Sequence, residues 1–286
     1  MKNISIIIPT KNIPDLLDRC LSSIPDCDAI EIIIVDDNSS SLIVDFDHYP
    51  KSKNSNVTLI RTTEGKGAGY ARNKGLDIAT GKWLIFADSD DFFVEGFYDI
   101  ILKYIDSSAD MVLFKAGSVN SETLEPSKRS EIINRQIENA LKGSITAAEA
   151  SITVQSPWCR LIKRSFVEKN KIRFDEVVAC NDTMFTTKAT CLAGKILVCN
   201  ECLYVVTYRN GSLWNQRKTD PNNILIRLDV QIRRNIYVRK FGFNAVPILG
   251  YLLKASKFGI NTFFKALGII LRKGALFQGV SCYFKK

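Results

Sequence analysis

Short runs of Ile, Val and Leu without polar alternation recur along the first half of the chain, and they constrain the fold more than any other feature. The runs lie at residues 5–8, 30–35, 57–60, 83–87 and 111–114. Uninterrupted apolar runs of this length are typical of strands that are buried on both faces. Helical patterns separate several of them, so the sequence predicts βαβ units and a largely parallel sheet with right-handed crossovers.

Two helices are predicted between the runs. The first follows Pro14, and one of its faces carries Leu16, Leu17, Cys20, Leu21 and Ile24. The second extends from Ala68 to Ala79 and has small residues on one face. Because apolar residues three and four apart share a helix face, both segments can pack on the predicted sheet.

The chain changes character near residue 214. We expect an α/β domain over residues 1–214 and a helical extension over residues 215–286, with helices at about 222–240, 246–258 and 261–273. Residues 115–145 are polar and are predicted to be an irregular surface excursion, whereas residues 196–209 are predicted to form one or two strands.

The C-terminal extension is strongly basic. Residues 215–286 hold 14 Lys and Arg against 2 Asp, whereas the rest of the chain holds 25 Lys and Arg against 28 Asp and Glu. Apolar residues alternate with these cations in residues 261–277, which is typical of a helix that lies in a membrane interface. We expect an anionic membrane surface as the partner and no nucleic acid, because these segments are more apolar than phosphate-tracking grooves. The alternative is that these helices pack on the body or on a second subunit.

No segment of the sequence suggests a membrane crossing. The longest apolar stretch, Ala245–Leu253, is far shorter than the ~20 residues that a bilayer requires. The first apolar run is short and lacks a small-residue cleavage site, which argues against a signal peptide. We therefore expect a cytoplasmic protein that is peripheral at the inner face of the cell membrane.

Histidine and cysteine content excludes several enzyme classes. His48 is the single histidine, which argues against a Ser-His-Asp hydrolase or a His-ligated metal enzyme. The eight cysteines lie mostly in apolar stretches and are typical of reduced, buried thiols. Cys199 and Cys202 form a CxxC pair without the second pair that a zinc site requires.

Polar residues follow three of the predicted strands, at Pro9–Asn12, Asp36–Ser39 and Asp88–Asp91. Ligands of open parallel sheets bind at the carboxyl ends of the strands, so these segments are candidate site residues. On an extended segment Asp88 and Asp90 would point to one ligand and Asp91 elsewhere. Their oxygens suit Mg²⁺ or Mn²⁺. A solvated, helix-capping acidic loop is the alternative.

These motifs together resemble a known family. The segments SIIIPTKN, IIIVDDNSS, GAGYARNKGLDIATGKWLIFADSDD, SPWCRLIKRSF, NDTMF and YRNGS occur in the order and spacing of family 2 glycosyltransferases with the GT-A fold. The resemblance covers about residues 4–212, and Ala68–Asp91 is its most diagnostic part. It implies a Rossmann-like, mixed and mostly parallel sheet flanked by helices. It also implies a nucleotide-sugar donor, most often a UDP-sugar, a divalent metal (Mn²⁺ or Mg²⁺), and inversion at the anomeric carbon.

The resemblance assigns residues to the donor side. Asp37 resembles the contact to the nucleotide base, Asp88 the contact to the ribose, and Asp90 the metal ligand on the diphosphate. Further residues are expected to line the same pocket: Pro9, Thr10, Arg72 and Ser89. The sequence departs from the family pattern at Lys11, where an aromatic residue is frequent, and at Asn38, where glycine is frequent.

On the acceptor side, Asp182 resembles the catalytic base, and Trp158 and Arg160 fall where the family shapes the acceptor site. Asn181 stands where the family usually has Glu. Inverting substitution needs a base on the acceptor hydroxyl, and a carboxylate can fill that role. Asp182 could alternatively serve as a helix N-cap. We expect a glycan acceptor, carried by a lipid, in surface polysaccharide (O-antigen or capsule) biosynthesis.

Two other functions remain open. A nucleotidyltransferase would share the nucleotide-binding sheet and metal carboxylates, but its glycine-rich phosphate loop would be expected where Pro9–Asn12 stands. A non-catalytic membrane scaffold that binds nucleotide sugar would keep the donor site without using Asp182 as a base.

Overall fold

The computed structural model describes residues 2–49, 54–209 and 220–279. The strands in this part of the chain are β1 Ile4–Thr10, β2 Ile30–Asp36, β3 Val57–Arg61, β4 Trp83–Phe86, β5 Phe92–Phe93, β6 Met111–Asn120, β7 Arg160–Lys163 and β8 Ile196–Tyr208. The helices are α1 Pro14–Ser22, α2 Ala68–Ile78, α3 Phe97–Leu102, α4 Glu131–Leu141, α5 Ala147–Thr153, α6 Arg164–Lys169, α7 Thr183–Leu192, α8 Pro221–Arg239, α9 Gly250–Ser256 and α10 Ile260–Arg272.

The strands form a single mixed sheet in the order β3-β2-β1-β4-β7-β6-β8-β5. The pairs β3–β2, β2–β1, β1–β4 and β6–β8 are parallel. The pairs β4–β7, β7–β6 and β8–β5 are antiparallel. The predicted fold class, a mostly parallel sheet flanked by helices, is confirmed.

Strand β1 shows why the apolar runs predicted this sheet. Ile6 and Ile8 pack in one hydrophobic layer, which also takes the buried face of α1, whereas Ile7 packs in the opposite layer with α2. Side chains alternate across a strand, so a strand that is covered on both faces needs apolar residues at every position. At Gly75 of α2 an added Cβ would lie 2.5 Å from Cγ2 of Ile7, so glycine lets this helix approach β1 closely.

Residues 115–145 differ from the prediction. Strand β6 continues to Asn120, and helix α4 occupies Glu131–Leu141. Helix α4 buries mainly Ile133 and Ile137, which lie one turn apart. Ile133, Ile137 and Leu141 have helical spacing, but the sequence prediction gave more weight to the polar composition of this region and missed the helix.

The C-terminal helices have their own small core and also pack on the α/β body. Buried residues of α8, α9, α10 and the adjoining loops form this core: Ile224, Leu228, Ile232, Ile248, Ala255, Ala266, Ile270 and Ala275. Arg233 of α8 forms a salt bridge of 2.7 Å with Asp175, and Arg234 donates to the carbonyl oxygen of Ile152 at 2.7 Å. For α8, packing on the body is therefore what the structure shows. The expected boundary at residue 214 lies outside the described residues.

None of the described helices combines the length and the apolar character that crossing a membrane would require.

Candidate active site

The candidate site lies at the carboxyl ends of the neighbouring strands β1, β2 and β4. These strands are neighbours and parallel, with Thr10 of β1 opposite Asp36 of β2. The backbone N–H of Asp37 continues the ladder and donates to the carbonyl oxygen of Thr10 at 2.9 Å. Parallel pairing therefore places the three polar segments side by side, as the sequence indicated.

The acidic segment after β4 is a turn and not an extended strand. The backbone N–H of Asp91 donates to the carbonyl oxygen of Asp88 at 3.0 Å, which closes the turn over Ser89 and Asp90. Asp88, Asp90 and Asp91 each offer one carboxylate oxygen, and these atoms lie within 4.8 Å of one another. The expectation that Asp91 faces elsewhere is therefore wrong, because the period of two holds only for extended backbone.

The negative charge of the three carboxylates is only partly compensated by neighbouring protein groups. Asp91 is buried and accepts a hydrogen bond from the N–H of Thr207 at 2.6 Å. Its pKa lies well above the ordinary value, first because of burial and then because of the charges of Asp90 and Asp88. Burial and the charge of Asp88 also raise the pKa of Asp90, although Arg209, at 3.3 Å, opposes this shift. A bound cation would relieve the repulsion in this cluster.

These residues fit a hard divalent cation. Carboxylate oxygens are the ligands that Mg²⁺ and Mn²⁺ prefer, and one or two carboxylates together with substrate phosphates make a typical site. Asp90, which is half-buried and belongs to the cluster, remains the predicted ligand.

Arg72 connects the acidic turn with the segment that carries Asp182. Its side chain is buried, and Nη2 lies 2.5 Å from Oδ1 of Asp88. Nη1 donates to Oδ1 of Asn181 at 2.9 Å, and the guanidinium carbon lies 5.3 Å from the ring centre of Phe174. Arg72 therefore orients two parts of the site, and its predicted contact with the nucleotide stays a prediction.

Asp37 presents an unused acceptor atom. Its Oδ2 accepts from the N–H of Gly67 at 2.9 Å and lies 3.6 Å from Nζ of Lys11. Its Oδ1 is buried and has no hydrogen-bond partner among the described residues. A buried acceptor without a partner is costly unless a ligand supplies the missing N–H or O–H group.

The remaining donor-side residues lie next to these groups. Pro9 and Thr10 are buried at the end of β1, and Ser89 is buried in the acidic turn. Asn38 has φ of +61°, a left-handed conformation that asparagine tolerates better than most residues. Asn38 can therefore adopt the turn conformation for which the family often has glycine at this position.

Asp182 stands at the N-cap position of α7, but its side chain makes no capping hydrogen bond. Its backbone carbonyl oxygen accepts from the N–H of Thr186 at 3.0 Å, as in a regular first helical turn. The capping role, which was the alternative for this residue, is therefore absent in this structure. The role of Asp182 as a base stays a prediction.

Trp158 is buried and contacts the site through Tyr204. The two rings are stacked, with centroids 5.2 Å apart and planes inclined by 21°. The hydroxyl of Tyr204 accepts a hydrogen bond of 2.8 Å from the backbone N–H of Asp88. Trp158 therefore supports the acidic turn through the ring of Tyr204. A contact between Trp158 and an acceptor stays a prediction.

Arg160 is fully enclosed by the protein. Its guanidinium donates to the carbonyl oxygens of Ser151, Val154 and Ser156 and to Oγ of Ser151. Burial lowers its pKa to about 10. Direct contact with an acceptor is not possible in this arrangement. Its effect on the acceptor side would be indirect, through the loop at residues 154–156 that it holds.

Three site residues were not identified from the sequence: Tyr204, Thr207 and Arg209. All three belong to or follow β8, and their relation to the acidic turn depends on the long-range pairing of β8 with β5. Arg209 lies in the YRNGS segment, so that motif gave a signal for it. Tyr204 and Thr207 gave none, because they occupy ordinary positions of an apolar strand.

Comparison with known proteins identifies the family. The model of glycosyl transferase family 2 matches residues 5–170. The chain is 29% identical over 231 residues to a poly(ribitol-phosphate) beta-glucosyltransferase of Bacillus spizizenii, covering 77% of this chain and 34% of that protein. It is 26% identical over 231 residues to the poly(ribitol-phosphate) beta-N-acetylglucosaminyltransferase TarS of Staphylococcus aureus, covering 78% of this chain and 39% of TarS. The chain thus spans between a third and two fifths of the length of these relatives.

Solved structures agree with the fold. Residues 1–349 of S. aureus TarS, in complex with UDP-GlcNAc, superpose with a TM-score of 0.66 at 22% identity, covering 96% of this chain and 84% of that one. The mannosyltransferase PcManGT of Pyrobaculum calidifontis, in complex with GDP-Man and Mn²⁺, gives a TM-score of 0.57 at 18% identity, covering 96% and 75%. At these identities the likeness establishes the GT-A fold alone. The family match over more than half of the chain goes further: this protein belongs to glycosyl transferase family 2.

Proposed function

We propose that this protein transfers a sugar from a UDP-sugar to a hydroxyl group of a glycan acceptor, with inversion at the anomeric carbon. The observation that carries the proposal is the connection made by Arg72, which contacts Asp88 of the acidic turn and Asn181, the neighbour of Asp182. One buried arginine thus connects the proposed nucleotide-diphosphate site with the segment that carries the candidate base.

Asp37 supports a uridine nucleotide as the donor. One of its carboxylate oxygens is already used by Gly67, and the other is buried without a partner in the described part of the chain. A single acceptor atom matches the single ring N–H of uracil; cytosine has no ring N–H and would have to present its exocyclic amino group instead. Guanine would offer two adjacent donors. We therefore expect UDP to bind more tightly than GDP or CMP.

The acidic turn supports a divalent cation on the diphosphate. Asp90 would hold Mn²⁺ or Mg²⁺, with Asp88 and Asp91 close by. When bound, the metal would stabilise the negative charge that develops on the departing nucleotide diphosphate. Asp88, which is paired with Arg72, would contact the ribose, and Asp37 would contact the base.

Asp182 is the proposed base. Its carboxylate would accept the proton of the acceptor hydroxyl as the oxygen attacks the anomeric carbon from the face opposite the leaving group. Helix α7 fixes the backbone of Asp182, and Arg72 fixes its neighbour Asn181, so the base is held by rigid elements.

The acceptor is the least constrained part of the proposal. Two curated relatives are named for poly(ribitol-phosphate), a polymer that carries phosphate groups. We propose a surface-polymer or lipid-linked glycan acceptor, as in the assembly of O-antigen, capsule or a polyol-phosphate chain.

Thermal unfolding in the presence of UDP, GDP, dTDP and CMP, each with and without Mn²⁺, tests the donor site. A ligand that binds the native state raises its melting temperature. We expect the largest rise with UDP and Mn²⁺, and no such rise in Asp90→Ala. Asp106→Ala is the matched control, because Asp106 is an exposed aspartate paired with Lys82. If no nucleotide raises the melting temperature of the wild type, the proposal is wrong.

Product analysis separates the proposal from its two rivals. A transferase releases UDP from a UDP-sugar only together with a glycosylated acceptor. A nucleotidyltransferase would instead release pyrophosphate from UTP and a sugar 1-phosphate. A non-catalytic scaffold would show UDP- and metal-dependent stabilisation but no transfer to any member of a glycan and polyol-phosphate acceptor panel.

A further inference from the structure

Helix α10 has a wide apolar surface, of which one part is buried and another is exposed. The buried part packs into the core of the C-terminal helices through Ala266 and Ile270. The exposed part carries Ile260, Phe264 and Leu271, whose residues are 70%, 60% and 57% exposed. A helix that only packs on its own protein needs one apolar side and is polar on the other.

The exposed residues form a continuous stripe. Positions 260, 264 and 271 are separated by four and seven residues, so they lie on one face of the helix. Leu267, which is half-buried, lies between them on the same face. We call Ile260, Phe264, Leu267 and Leu271 the α10 stripe. Large apolar residues clustered in this way mark an interaction surface, whereas single exposed ones do not.

Exposed apolar residues also occur in the segments next to α10. Leu253 in α9 is 73% exposed and Phe277, just after α10, is 79% exposed. Helix α8 carries a single exposed large apolar residue, Ile236, because its other apolar residues pack against the protein. The unused apolar surface of this region is therefore concentrated on α9, α10 and the residues that follow.

The charge around the stripe has one sign. Residues 230–286 contain no Asp or Glu and eleven Lys and Arg. Asp229, the last acidic residue along the sequence, is already paired with Arg233 and Lys273. Besides Lys273, four exposed cations lie on or next to the two short helices: Lys254, Lys257, Lys265 and Arg272. An apolar stripe bordered by cations and without anions matches a surface that is apolar inside and negative at its edge.

We propose that the α10 stripe inserts into the interface of an anionic lipid bilayer, with Lys254, Lys257, Lys265 and Arg272 at the headgroups. Apolar burial and attraction to anionic lipid add in such helices, whereas the same stripe of a second copy would bring further cations to this face. Helix α8 takes no part in the insertion and instead attaches the two membrane-facing helices to the α/β body. This inference does not depend on the proposed sugar transfer.

Flotation with lipid vesicles tests the proposal. The purified chain is mixed with vesicles of phosphatidylcholine alone or of phosphatidylcholine with phosphatidylglycerol, at low and at high salt. We expect binding to the anionic vesicles that is roughly tenfold stronger than to the neutral ones and weaker at high salt.

Two sets of variants resolve the apolar and charged contributions. Phe264→Gln with Leu271→Gln removes the centre of the stripe, and glutamine is compatible with a helix. We expect a loss of at least about tenfold in vesicle binding. Lys257→Gln with Lys265→Gln should remove most of the preference for anionic lipid and its salt dependence. Ile132→Gln is the matched control, because Ile132 is 59% exposed on α4 of the body, and it should bind as the wild type does.

Each outcome bears on the proposal. All variants must keep the wild-type melting temperature with UDP and Mn²⁺, which separates a lost surface from a lost fold. The proposal is overturned if the wild type fails to float, or if Phe264→Gln with Leu271→Gln floats as the wild type does. It is also overturned if sedimentation equilibrium shows a dimer that this double variant dissociates while neither protein binds vesicles, because the stripe would then be an interface between copies.

Discussion

Arg72 lies 2.5 Å from Asp88 and uses its other terminal nitrogen for Asn181, so a single side chain sets the distance between the acidic turn and the loop that begins α7. Arginine can do this because its planar fork carries several fixed donors. The small residue Gly69 contributes to the same junction, since a Cβ there would overlap the carbonyl oxygen of Asp175.

Arg72→Lys tests this junction. Lysine keeps the positive charge beside Asp88 but cannot also hold Asn181 in the same geometry. We expect a fall in the transfer rate of about tenfold or more, with a smaller loss of UDP affinity. Steady-state kinetics and UDP titration measure the two effects. Arg61→Lys is the control, since Arg61 forms an exposed ion pair with Asp47. Equal rates in Arg72→Lys and the wild type would show that the junction does not matter.

Asp182→Asn tests the proposed base. Asparagine has the same shape as aspartate and caps helices equally well, but it cannot accept a proton. We expect a transfer rate at least about a hundredfold lower, which is typical for the loss of a general base. UDP affinity and melting temperature should not change. Near-normal turnover in this variant would remove Asp182 from the mechanism.

Asp37→Asn tests the specificity for the base of the nucleotide. The amide can still accept from Gly67, but its second group is a donor and would meet the ring N–H of uracil. Loss of one hydrogen bond to a charged acceptor costs about 2 kcal/mol, so UDP affinity should fall roughly thirtyfold. Calorimetric titration of UDP measures this loss. Preference among UDP, GDP and CMP should also weaken, and an unchanged preference would place the base elsewhere.

The sheet was predictable because its signal is local. Buried strands such as β1 need apolar residues on both faces, and the run of isoleucines before Pro9 therefore predicts a strand that is covered on both sides. Helix α4 was missed because the polar composition of residues 115–145 was given more weight than the helical spacing of Ile133, Ile137 and Leu141. The turn at Asp88–Asp91 was misjudged because a local period of two was assumed where the backbone turns.

The site was only partly predictable, because half of its partners come from distant parts of the chain. The aspartates and Arg72 lie in motifs that the sequence displays. Their partners Asn181, Tyr204 and Thr207 are more than a hundred residues away, and only the folded sheet brings them together. Arg160 was expected to shape the acceptor side; its guanidinium is fully buried and donates to backbone carbonyl oxygens, which the motif alone did not indicate.

The raised pKa values of Asp90 and Asp91 predict how the metal-free protein responds to pH. For a carboxyl group whose pKa is higher in the folded than in the unfolded chain, the folded state holds more protons between the two values. The stability contributed by each group is therefore present below the unfolded pKa and is lost as pH rises through the folded pKa. At neutral pH both carboxylates weaken the fold, and burial without a cation is the cause.

Asp91→Asn isolates this effect, because its amide oxygen can still accept from Thr207 while the charge is removed. We expect the variant to melt several degrees above the metal-free wild type at pH 7, a difference that corresponds to about 1 kcal/mol or more. The advantage should shrink as pH falls towards 4, because the folded-state carboxyl is then protonated and the unfolded-state carboxyl, with a pKa of about 3.9, begins to be protonated as well. Added Mn²⁺ should stabilise the wild type more than the variant. Melting curves of Asp91→Asn and Asp106→Asn at pH 4 to 8 provide the test, and a variant that is less stable than the wild type at pH 7 would show that Thr207 and the neighbouring cations already compensate the charge.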